Sequence, residues 1–99
     1  SVPSEVTVQS VEVTPGALKI ECRIDHLGKA PELKVYWGAQ DGLTFADRWG
    51  HSERIPNLKE GKNTFTLKSV TSFTNARLRL FLKNDDGQFW SVNSTRVTK

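Results

Sequence analysis

Apolar and polar residues alternate with a period of two along most of the chain, most cleanly over residues 17–25. There Leu18, Ile20, Cys22 and Ile24 share one side, and Lys19, Glu21, Arg23 and Asp25 the other. A helix would scatter the two groups around its axis, whereas a half-buried antiparallel strand separates them. Upstream, Val6 and Val8 alternate in one phase and Val11 and Val13 in the other. One extra residue near Gln9-Ser10 predicts a bulge or a strand that changes sheet. Leu33, Val35 and Trp37 form the inward face of a third strand, with Lys34 and Tyr36 on its other face. Phe65 and Leu67 mark a later strand. Ala76, Leu78, Leu80 and Leu82 then alternate with Arg77, Arg79, Phe81 and Lys83, and Trp90 and Val92 carry a last strand toward Val97.

Turn residues separate these runs: Pro15-Gly16, then Leu27-Gly28-Lys29-Ala30-Pro31, and later Asn84-Asp85-Asp86-Gly87, suited to positive φ at its end. Residues 38–61 are the least regular and read as a long loop with one or two short edge strands. About seven short strands without a helical period predict an all-β chain, residues 1–99 forming a single antiparallel two-sheet β-sandwich.

Composition makes the core lean. Leu, Ile, Val and Phe supply 26 of 99 residues, enough for a core that leaves little room for an enclosed cavity. No run reaches the roughly 18 apolar residues of a membrane span, so no membrane insertion is expected. The lone Cys22 excludes an internal disulfide framework and a thiolate zinc cluster. It is in phase with Ile20 and Ile24, which predicts a buried, inert thiol. Lys and Arg number 14 against 11 Asp and Glu, a formal +3. These charges are interspersed, which reads as solubility. A start at Ser-Val-Pro-Ser-Glu and the absence of Met suit a piece of a longer protein.

No arrangement of residues carries catalysis. No Gly-x-Ser-x-Gly elbow presents a serine. His26 and His51 lie 25 residues apart without a second ligand at metal spacing. Asn84-Asp85-Asp86-Gly87 lacks the alternating ligands of a calcium loop, and no Lys-Ser/Thr or helix start follows Gly38 and Gly42 to cradle a phosphate. No enzyme, metal or cofactor is therefore expected. The basic residues match no nucleic-acid module, so no nucleic acid is expected either. Asn93-Ser94-Thr95 matches a glycosylation sequon but falls in a predicted strand.

Over Val35-Tyr36-Trp37-Gly38-Ala39-Gln40-Asp41-Gly42-Leu43-Thr44, followed by Trp49, the chain resembles the fibronectin type III-like modules that recur in large secreted and surface proteins of bacteria. Asn84, Gly87 and Trp90 repeat the spacing of the family's closing strand and turn. Ser72 and Ala76 stand where the family usually has a Pro and a corner Tyr, and the Trp common in the second strand is missing. The resemblance implies a non-catalytic fibronectin type III/immunoglobulin-like module, secreted, cell-surface or periplasmic as part of a larger protein. Its partners would be neighbouring domains of the same polypeptide or another protein.

In such a fold the third, sixth and seventh strands are neighbours. Tyr36, Lys34, Arg77, Arg79, Phe81 and Lys83 would then share one outer face. Two readings of that face follow. As a ligand or interface face, Tyr36, Phe81 and an exposed Trp49 stack on polysaccharide while Arg77 and Arg79 hold its anionic groups. As a small satellite core, Phe45 and Trp49 fold back over Tyr36 and Phe81.

Overall fold

The segment with the cleanest alternation becomes the centre of a sheet. The computed structural model describes residues 2–68 and 75–97, so Ser72 lies outside the described residues. These form eight strands: β1 (Glu5–Thr14), β2 (Ala17–Asp25), β3 (Glu32–Gly38), β4 (His51–Ile55), β5 (Gly61–Leu67), β6 (Ala76–Asn84), β7 (Gly87–Trp90) and β8 (Thr95–Val97). One sheet has the order β1-β2-β5. The other has the order β4-β3-β6-β7, with β8 also paired to β6. Every pairing is antiparallel. The result is the expected all-β, two-sheet arrangement.

Leu18, Ile20, Cys22 and Ile24 of β2 join Leu33 and Val35 of β3 and Leu78, Leu80 and Leu82 of β6 in one hydrophobic cluster. None of these side chains is more than 1% exposed, and burial of each Leu or Ile contributes roughly 1.5–3 kcal/mol. The phase change in β1 is a bulge. Pairing with β2 steps from Val8↔Cys22 to Ser10↔Glu21, which lets Val6 before it and Val11 and Val13 after it all pack on the core.

The last strand departs from the sequence reading. Trp90 and Val92 do not continue one strand, because the chain breaks between β7 and β8. Trp90 pairs with Phe81 and Thr95 with Leu78, so residues 91–94 cross a gap of only two β6 residues. Val92 is 71% exposed. Asn93 and Ser94 lie in this break and not in a strand. The long irregular region resolves into a 3₁₀ turn at Ala46–Arg48 and the edge strand β4.

Strand directions set the two poles. Glu5 of β1 pairs with Asp25 at the end of β2, and Glu32 at the start of β3 pairs with Lys83 near the end of β6. The N-terminal segment therefore shares a pole with the β2–β3 loop and the β6–β7 turn. Val97 pairs with Ala76 at the start of β6, beside the β3–β4 loop at the opposite pole. The molecule measures 39 × 24 × 18 Å.

Candidate functional site

The outer face of the five-stranded sheet gathers the side chains that alternate out of the core. Register places Tyr36 across from Arg79 and Lys34 across from Phe81. Phe81 in turn lies across from Trp90. The three rings form a cluster, with centroids 6.3 Å apart for Tyr36 and Phe81, 5.2 Å for Tyr36 and Trp90, and 4.8 Å for Phe81 and Trp90. The edge-on and tilted geometries are those aromatic quadrupoles favour. Tyr36 is only 7% exposed, and Phe81 and Trp90 are half-buried.

Arg79 works inside the fold. Its Nε donates to the Ser91 carbonyl at 2.8 Å and its Nη2 to the Val92 carbonyl at 2.9 Å. Its guanidinium also lies 5.8 Å from the Trp90 ring centroid. Arg77 stands two residues away on the same face, across from Arg96.

Trp49 lies elsewhere, in the β3–β4 loop. It does not fold back over Tyr36 and Phe81; Trp90 is their ring partner. Trp49 instead packs on Gly42, where a Cβ would fall 2.5 Å from its ring, and donates from Nε1 to the Leu43 carbonyl at 3.1 Å. At 7% exposure it presents no open ring. Glycine is required at position 42 because an indole fills the space a side chain would take. The Asp41 carboxylate accepts from Leu43 N–H at 2.8 Å and from the Ser94 hydroxyl at 2.6 Å. The Ser94 bond is the main cause holding Asp41 below the usual carboxylate range, with Arg77 and Arg79 adding attraction. Phe45, the other ring expected to cover the face, is 49% exposed with the Arg48 guanidinium 4.6 Å from its centroid.

A second polar cluster closes the other pole. Glu60 accepts from the backbone N–H groups of Leu27 at 2.7 Å and His26 at 2.9 Å. Asp86 meets His26 Nε2 at 2.6 Å. Asn84 Nδ2 donates to the Ser4 hydroxyl and to the Leu27 carbonyl, while Ser4 donates to the His26 carbonyl at 2.6 Å. These bonds tie four separate segments together. Among the described residues no group of three or more His, Cys, Asp or Glu is placed to hold a metal ion.

Of the five residues singled out in the sequence, Tyr36, Arg77, Arg79 and Phe81 share one sheet face, and Trp49 sits apart in its loop. Trp90 belongs to the face and was missed there; its pairing partner Phe81 could have been found from the Asn84–Gly87 turn, which sets the hairpin register. Arg54, which pairs with Lys34, and Arg96 were also missed. Comparison with protein-family models, curated proteins and solved structures found no significant match.

Proposed function

We propose that the chain is a non-catalytic fibronectin type III-like module that spaces and docks neighbouring domains within a larger extracytoplasmic bacterial protein. The observation that carries this reading is the placement of the chain ends. Residues before β1 lie at one pole and Val97 at the other, so the length of the strands would separate whatever adjoins each pole. The strand orders support it further. A sheet of β1, β2 and β5 opposite one in which β3 neighbours β6 and β6 neighbours β7 is the arrangement expected of immunoglobulin-like sandwiches. The deeply packed rings of Tyr36 and Trp49 favour structural roles over sugar stacking.

Small-angle scattering on two copies joined in tandem tests the reading. The maximum dimension is expected to grow by about the length of one module, as for domains linked pole to pole. Side-by-side packing with little growth would overturn it.

A further inference from the structure

The chain's net charge is concentrated on one face. The register aligns Arg54, Lys34, Arg79, Arg77, Arg96 and Lys83 on the outer side of the five-stranded sheet. Among the described strand residues there, Glu32 is the one carboxylate, and Asp41 adjoins the face from its loop. Six cations against two carboxylates leave a formal +4, more than the +3 of the whole chain. The outer face of the three-stranded sheet differs. Glu5, Glu12, Glu21 and Asp25 there outnumber Lys19, Arg23 and Lys62, leaving a formal −1. Four of the chain's six arginines stand on the basic face.

We infer that this face binds an acidic polysaccharide, one bearing carboxylate or sulfate groups, by charge and not by ring stacking. The inference rests on the reading of the chain as an extracytoplasmic module and gives this face a partner other than the neighbouring domains at its poles. Strands lie roughly 4.8 Å apart and alternate residues roughly 7 Å apart. The cations thus form a two-dimensional grid matched to a repeating polyanion. Arg54, Arg77 and Arg96 supply planar forks that hold paired anionic oxygens, which a Lys ammonium does not; Arg79, engaged with the Ser91 and Val92 carbonyls, adds charge alone. Protein interfaces favour aromatic anchors and Arg at a desolvated centre and deplete Lys there; here Lys34 stands mid-sheet on β3 and Tyr36 is only 7% exposed, which disfavours a protein partner. Single-stranded nucleic acid needs exposed rings on which bases stack, and Tyr36, Phe81 and Trp90 are packed against one another.

The test is calorimetric titration of the whole chain with polygalacturonate and dextran sulfate at about 50 mM salt, where charges are weakly screened. Uncharged dextran, poly-glutamate and duplex DNA serve as comparisons. Binding to the two acidic polysaccharides is expected, weakening steeply with salt as condensed counterions are released. Arg54→Glu with Arg77→Glu is expected to weaken it by about tenfold or more. Lys19→Glu with Lys62→Glu, an equal charge change on the other face, should weaken it by less than about threefold. Circular dichroism confirms that each variant is folded. If charge reversal unfolds the chain, Arg54→Gln with Arg77→Gln replaces it, with a loss of about threefold expected. Equal losses from both faces, no loss in a folded variant, no binding at low salt, or tighter binding of poly-glutamate or DNA would each overturn the inference. The tandem scattering experiment involves no polyanion, so failure here leaves the spacer reading standing.

Discussion

Arg79 and Ser91 hold each other across the break between β7 and β8. The Arg79 Nε donates to the Ser91 carbonyl at 2.8 Å. One residue along β6, Leu80 donates its N–H to the Ser91 hydroxyl at 3.0 Å and accepts from Ser91 N–H at 2.9 Å. A side-chain hydroxyl thus takes the place of a ladder carbonyl where two pairing residues are replaced by four. Ser91→Ala leaves the buried Leu80 N–H without its acceptor, and a loss of about 1–3 kcal/mol is expected. Arg79→Ala removes charged donors from two carbonyls, with a similar loss expected. Because the two side chains hold one segment, the double variant should lose less than the sum. Urea unfolding of the three variants measures this, and strict additivity would show that the two act independently.

Trp49 organises the β3–β4 loop around Gly42. Trp49→Ala is expected to destabilise the fold by about 3 kcal/mol, the range for a buried aromatic ring. Gly42→Ala places a methyl group 2.5 Å from the indole, and the forced shift should cost about 1–3 kcal/mol. Neither change removes one of the six cations of the basic sheet face, so polygalacturonate affinity of the folded variants should stay within about twofold of the parent. A binding loss in Trp49→Ala without a change in unfolding midpoint would return Trp49 to the role of a stacking platform.

Much of the fold was legible because burial on one sheet face writes itself as alternation. Leu18 to Ile24 and Ala76 to Leu82 declare β2 and β6, and the phase change at Gln9-Ser10 marks an irregularity that the β1–β2 register resolves as a bulge. β4 was harder to see, since His51-Ser52-Glu53-Arg54-Ile55 buries only Ile55 on an edge and borrows its structure from β3. The β7–β8 break was not legible, since Trp90, Ser91 and Val92 alternate as an unbroken strand would. What interrupts them is Arg79, eleven or more residues away. The fate of Trp49 depended on which neighbour left room for an indole, which periodicity does not encode. The basic face was half visible. Arg77, Arg79, Lys83 and Lys34 followed from alternation, whereas Arg54 and Arg96 joined only through the pairings of β4 and β8.

Cys22 gives a direct measure of how tightly the core is closed. Its thiol is fully buried, and burial pushes its pKa up to about 11. The nucleophile is the thiolate, so both access and ionisation are suppressed near pH 8. An aromatic disulfide reagent is expected to leave Cys22 unmodified in the native chain and to label it fully in denaturant. Labelling under native conditions should be limited by the rate or free energy of unfolding, and Trp49→Ala should speed it. Rapid labelling of the native parent would mean that the core around Ile20 and Ile24 opens locally.

The pole cluster makes stability depend on acid. Two backbone N–H donors from Leu27 and His26 hold the Glu60 carboxyl below its ordinary value, and the His26 side chain does the same for Asp86. A carboxylate whose pKa is lower folded than unfolded stabilises the fold fully above its unfolded value, about 4.3 for Glu and 3.9 for Asp. That contribution disappears as pH falls through the lower, folded values. Thermal midpoints are therefore expected to be flat with respect to these groups from neutral pH down to about 5, then to drop as the carboxyls protonate. Glu60→Gln keeps an acceptor oxygen for one N–H and removes the titration. It should lower the midpoint at pH 7, and the difference from the parent should shrink as pH falls below the unfolded value, about 4.3, and through the lower folded one. An acid-induced drop of equal size in Glu60→Gln, Asp86→Asn and the parent would place the acid sensitivity in other carboxylates, leaving the tie between the N-terminal pole and the β4–β5 loop independent of protonation.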